Sequence, residues 1–162
     1  MTTPAPSPPE PTAEQDRNFA QLGADYRLVI HQTGADLRLH WLSPSVSRTF
    51  GSHNFYSQPA SELARFVHPE DFPQVLLWWQ ALPEQGEHTP IEIRLYDADG
   101  GIRWLRLRIK VQPNQPNDRL LYVAGQDTTA SKHSELSLIR HTEEVTSLVQ
   151  IGQAVVAQLD LD

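Results

Sequence analysis

From Leu105 to Val111 the chain alternates strictly: Leu105, Leu107, Ile109 and Val111 take every second place, with Arg106, Arg108 and Lys110 between them. A side-chain period of two belongs to an extended strand with one face on a core and the other in water. A half-buried strand of this kind belongs to an antiparallel sheet and needs partners. Tyr26, Leu28 and Ile30 alternate with Arg27, Val29 and His31; beyond a break at Gly34, Leu37, Leu39 and Trp41 alternate with Arg38 and His40. That pattern reads as a hairpin with one buried face. Ile91, Ile93 and Leu95 alternate with Glu92, Arg94 and Tyr96, and Asp97 to Gly101 supplies the Asp-Gly turn that hairpins favour. Asn114 to Asp118 is a further turn, and Leu120 to Gln126 the last strand. Ile102 and Trp104 are out of phase with Leu105 and its successors, which predicts a bulge near Trp104 and Leu105.

Helix signals are placed around these strands. Val67-His68-Pro69-Glu70-Asp71 puts proline at a first helical position and negative charge against the helix dipole. Phe72, Val75, Leu76 and Trp79 then follow the i, i+3, i+4, i+7 pattern, until Pro83 and Gly86. Ser43-Pro44 opens a short helix, with Ser43 as its cap and Gly51 at its end. Another is expected over Pro59 to Phe66, with Leu63 and Phe66 inward. Thr12 caps a helix to Leu22 that carries Phe19 and Leu22 on one face. Thr129 or Ser131 caps a final helix. Along it Leu138, His141, Val145, Leu148, Gly152, Val155 and Leu159 recur at alternating steps of three and four, a heptad seam. The expected fold class is α+β: a five-stranded antiparallel sheet with helices on one face, plus flanking N-terminal and C-terminal helices.

Composition narrows the chemistry. The 162 residues hold no cysteine, 20 acidic residues and 13 basic ones, a net charge of −7. Thiolate metal sites, cysteine nucleophiles and flavin–cysteine adducts are excluded. The acidic balance argues against nucleic acid or an anionic membrane as partner. No apolar run approaches the roughly 18 residues of a membrane span, and no signal peptide is visible. A cytoplasmic protein is expected. Five prolines within the first 11 residues mark residues 1–11 as a disordered linker.

Four motifs, in order, resemble the PAS fold. Trp41-Leu42-Ser43-Pro44-Ser45-Val46 resembles the turn from second strand into short helix. Val67-His68-Pro69-Glu70-Asp71 resembles the start of the main PAS helix. Glu92-Ile93-Arg94-Leu95 with Asp99-Gly100-Gly101-Ile102-Arg103-Trp104 resembles its central hairpin. Gly125-Gln126-Asp127-Thr128-Thr129-Ala130-Ser131-Lys132 resembles its terminal motif. Thr128 departs from the apolar residue usual there. The resemblance spans Ala24 to Lys132. It divides the chain into the linker 1–11, an N-terminal helix 12–23, a PAS domain 24–132 and a C-terminal linker or coiled-coil helix 133–162. Glu143 to Asp162 is similar to the entry helix of GAF domains.

The resemblance implies a non-enzymatic sensory module that dimerises and signals through its C-terminal helix to a downstream GAF, histidine kinase, cyclase or phosphatase domain, as in two-component systems. Asp127 and Thr129, at the exit junction, are the signal-relay candidates. Leu138, His141, Val145, Leu148, Val155 and Leu159 are the homodimer seam. The family's pocket lies between sheet and main helix; Phe72, Val75, Trp79 and Trp104 are its candidates, and large aromatics there are expected to fill it. Haem is disfavoured, since the main helix carries no histidine, whereas an unidentified small organic ligand stays open. No metal is expected: the seven histidines form no i, i+2 or i, i+4 pair. Asp97-Ala98-Asp99-Gly100 fails as a calcium loop, because its twelfth position is Arg108. His141 lacks the acidic neighbour of a phosphoacceptor histidine. Two alternatives remain at this level: a ligand-free interaction module, and a small α+β enzyme of cone-shaped fold.

Overall fold

The computed structural model describes residues 12–20, 22–51 and 60–159. The order is helix α1 (Ala13–Ala20), strands β1 (Tyr26–Thr33) and β2 (Asp36–Leu42), and helix α2 (Pro44–Phe50). A 3₁₀ helix (Ala60–Phe66) and a 3₁₀ turn (Pro69–Asp71) lead into helix α3 (Phe72–Gln80). Strands β3 (Gly86–Glu87), β4 (Ile91–Tyr96), β5 (Ile102–Gln115) and β6 (Asp118–Asp127) follow, then helix α4 (Thr129–Leu159). The linker expectation for residues 1–11 lies outside the described residues, as do Pro59 and His53. The chain divides at Thr128 and Thr129 into two compact units, the second holding α4.

Every strand pairing is antiparallel. β1 lies between β2 and β6, and β5 lies between β6 on one side and β3 and β4 on the other. The α+β architecture is the one expected, with a sixth strand added: Gly86 and Glu87 pair with Val111 and Lys110. Two residues are too few to display a period, so they read as the end of the main helix.

Both faces of the sheet are covered. On one, Tyr26, Ile30, Leu105, Ile109, Leu121 and Val123 pack with Val46 and Phe50 of α2. On the other, Phe19 and Leu22 pack against Val29, Trp41, Tyr122 and Ala124. α1 is fixed at its start by a reciprocal capping box. Thr12 N–H donates to the Gln15 side chain at 2.9 Å, and Gln15 N–H donates to the Thr12 hydroxyl at 3.3 Å.

The bulge lies elsewhere than expected. β5 pairs in unbroken register through Trp104 and Leu105; its shift comes at Pro113 and Gln115. Ile102, 44 % exposed, and Trp104 simply occupy the face opposite Leu105. The β1–β2 register does shift: Val29 faces Trp41 while Ile30 faces Leu39, which leaves His40 as the extra residue. One extra residue reverses the side-chain faces beyond it. Trp41 therefore joins Phe19 rather than Leu37 and Leu39.

Two cap expectations change as well. The Ser43 hydroxyl makes no cap bond to α2. It accepts the Arg27 N–H at 3.1 Å, and the Ser43 N–H donates to the Arg27 carbonyl at 2.8 Å, so Ser43 extends the hairpin. Thr129 is the first residue of α4 rather than a cap before it.

Candidate functional site: a cavity beneath helix α3

A cavity of about 420 Å³ lies between α3 and the sheet. Phe72, Val75 and Trp79 of α3 line it, with Leu63 and Phe66 of the 3₁₀ helix beside them. Trp104 is not among its lining residues. Strand alternation turns it away, and the Arg94 guanidinium lies 5.4 Å from the centre of its ring. Among the described residues, large aromatics do not fill it. No residue of α3 is buried, and Phe72 and Leu76, both in the wall, are 38 % and 46 % exposed. The contact of α3 with the sheet's core comes from Trp78 and Trp79, both only partly buried.

An ion pair fixes the N-terminal end of the helix. Asp71, 6 % exposed, accepts the Arg94 backbone N–H at 2.7 Å and Arg94 Nε at 3.0 Å on Oδ2, and Arg94 Nη2 at 2.6 Å on Oδ1. The Arg94 side-chain bonds hold the Asp71 carboxyl below its ordinary value, against the opposing effect of burial. Glu70 takes a second bond from Nη2 at 2.9 Å. His68 caps the 3₁₀ turn, its Nδ1 accepting the Glu70 N–H at 3.3 Å, and its own N–H donates to the Arg94 carbonyl at 2.9 Å.

A second polar cluster sits where β6 ends. The Asp127 carboxylate accepts from Arg103 Nη1 at 3.2 Å and, more distantly, from the Tyr26 hydroxyl at 3.4 Å. Arg103 Nε also reaches Asp97 at 3.1 Å, and the Tyr26 oxygen accepts from the Thr49 hydroxyl at 3.2 Å. Asp97 in turn accepts the N–H groups of Asp99 and Gly101, so the acidic turn is a hydrogen-bonded hairpin. The Asp127 N–H donates to Asp25 at 2.8 Å. Thr128 N–H and hydroxyl both donate to the Trp104 carbonyl, at 2.8 and 3.3 Å; a second hydrogen bond stands where the family places apolar packing.

Tyr26 belongs to both places: its ring lines the cavity and its hydroxyl meets Asp127. The sequence shows it only as one apolar position in an alternating strand. Its partner is 101 residues away, and no local spacing encodes that.

Leu138, His141, Val145, Leu148, Val155 and Leu159 all fall within α4 and are exposed on it. Among the described residues no three His, Cys, Asp or Glu side chains come together as metal ligands, and no helix is long and apolar enough to cross a membrane.

A family model described as the PAS fold matches residues 39–126, more than half of the chain. No curated protein matches it. Among solved structures it is similar to a sensory box histidine kinase/response regulator from Burkholderia thailandensis: TM-score 0.55, 23% identity, 81% of this chain and 98% of that one. It is also similar to the Rhodobacter sphaeroides LOV protein: TM-score 0.54, 13% identity, 78% of this chain and 74% of that one. At these identities the likeness is one of fold.

Proposed function

We propose that this chain, which belongs to the PAS-fold family, is a sensory signal-transduction module with no catalytic activity of its own. It takes a small organic ligand into the cavity beneath α3 and forms a homodimer along the α4 seam. It passes the state of the cavity to a downstream effector domain of the GAF, histidine kinase, cyclase or phosphatase kind. It works in the cytoplasm, in keeping with a chain that has no cysteine.

The observation that carries this reading is the position of Tyr26. A ligand that moves its ring moves a hydroxyl in contact with Asp127, the last residue of β6. Thr129, two residues on, begins α4. A shift of sheet geometry at Asp127 biases the first turn of the helix, and a dimer of such helices is an element with two arrangements. A ligand-free interaction module would require the cavity to be filled by the protein's own side chains, and it is not so filled among the described residues.

The test is Asp127→Ala in the protein carrying its effector domain. Loss of effector regulation with the fold retained, by circular dichroism, is the expected result. Normal regulation in a folded variant overturns the relay.

A further inference from the structure

The wall of the α3 cavity is chemically uniform. Among the described residues it contains no Asp, Glu, Lys, Arg, His, Ser, Thr, Asn or Gln. The polar side-chain atoms of its described residues are the Tyr26 hydroxyl and the indole N–H groups of Trp78 and Trp79. The Tyr26 hydroxyl is engaged by Asp127 and Thr49, and the Trp78 N–H donates to the Thr89 carbonyl at 2.6 Å. That leaves the Trp79 N–H, which has no partner among the described residues. The floor is built from β1, β5 and β6, each paired on both sides, so its main-chain groups are taken up by the sheet.

Such a wall selects by what it cannot do. A carboxylate, phosphate or ammonium placed there would lose its hydration and gain no counter-charge, a heavy cost in an apolar medium. Water fares poorly too, since a buried water needs two to four polar partners. At about 420 Å³ the space falls within the roughly 300–1,000 Å³ of small-molecule sites. Its best occupant is therefore a molecule that is hydrocarbon over nearly all its surface.

We propose that the cavity binds an uncharged, predominantly hydrocarbon small molecule, bearing at most one hydrogen-bond acceptor for Trp79, and discriminates against charged ligands of the same shape. This rests on the reading of the cavity as a ligand site, and narrows it to a chemical class.

The test pairs two fluorescent probes with one scaffold: N-phenyl-1-naphthylamine, uncharged, and 8-anilino-1-naphthalenesulfonate, which adds a sulfonate. The full chain is titrated with each; energy transfer from its tryptophans reports binding, and a cavity-filling variant reports whether the probe sits beneath α3. The uncharged probe is expected to bind at least tenfold more tightly, with energy transfer. Val75→Trp, on a helix with no buried residue, is expected to weaken it at least tenfold while the circular dichroism spectrum is kept. If Val75→Trp does not fold, Val123→Phe fills the cavity from the sheet side. Equal or tighter binding of the sulfonate, lost in the filled variant, overturns the ligand class and leaves the ligand site standing. No binding of either probe, or binding indifferent to filling, overturns both.

Discussion

Arg94 grips Asp71 through its backbone N–H, its Nε and its Nη2, all within 3.0 Å. Asp71 closes the turn that enters α3, and Arg94 lies in β4, whose Ile93 and Leu95 line the cavity opposite that helix. The pair therefore fixes the N-terminal end of α3 against the sheet, while Trp78 and Trp79 pack on the core farther along it. Where an amphipathic helix ordinarily owes its position to buried apolar contacts, here a charge-assisted clamp fixes one end over a space that side chains leave open.

Removing the carboxylate should cost accordingly. Asp71→Ala leaves Arg94 with Glu70 as its carboxylate partner among the described residues and strands a backbone N–H, and should lower unfolding stability by about 2–4 kcal/mol, below the figure for a fully buried pair because Arg94 is partly exposed. Asp71→Asn, which keeps one acceptor, should cost less. Urea denaturation midpoints measure both. A loss for Asp71→Ala inside about 0.5 kcal/mol, the scatter of ordinary surface substitutions, would show that the clamp does not hold the helix.

The same pair has a pH signature. The folded-state value of Asp71 is depressed, by the Arg94 bonds first. Its contribution is therefore complete above the unfolded carboxyl value of about 3.9 and is lost as pH falls below it. The stability gap between wild type and Asp71→Asn should be constant from neutral pH to about pH 5 and should narrow progressively as pH falls below about 4. Urea titrations across that range are the measurement. A gap that persists in acid would assign the effect of the substitution to shape instead of charge.

What the sequence yields and what it withholds divide by distance along the chain. The alternation of Leu105 to Val111, the Thr12 cap and the Asp97 turn are decided within a few residues, and each is found where expected. Asp71 is different. Read locally it is an acidic residue at a helix start, suited to the dipole; its carboxylate in fact turns to Arg94, 23 residues on. The bulge at His40 leaves no mark, because Arg38, His40 and Trp41 fit an unbroken alternation equally well. The cavity is the least legible feature. Phe72, Val75 and Trp79 have the right period to face the sheet, yet whether they fill the space depends on every side chain around it, not on their own spacing.

The heptad seam leads to a prediction about assembly. Leu148 and Val155, 69 % and 51 % exposed on α4, lie one heptad apart on the seam, and in a dimer each would meet its counterpart. Sedimentation equilibrium should give a dimer for the full chain and a monomer for Leu148→Lys with Val155→Lys, since two desolvated ammonium groups would face each other at each position. A wild-type chain that stays monomeric at high concentration would refute the seam.

Tyr26→Phe separates the two roles of one side chain. It deletes the hydroxyl that joins Asp127 and Thr49 and keeps the ring that lines the cavity. Stability should fall by about 0.5–1.5 kcal/mol, the ordinary worth of a hydrogen bond, since Arg103 still holds Asp127. N-phenyl-1-naphthylamine should bind the variant as it binds wild type, because the wall it touches is unchanged. The difference belongs at the exit. In wild type the probe should alter amide hydrogen exchange in the peptides spanning Asp127 and the first turns of α4, and in Tyr26→Phe that response should disappear while the cavity peptides still respond. A variant whose exit peptides respond to the probe as wild type does would show that the signal leaves the cavity by another route, with Leu105 and Leu107 of the neighbouring strand the next residues to test.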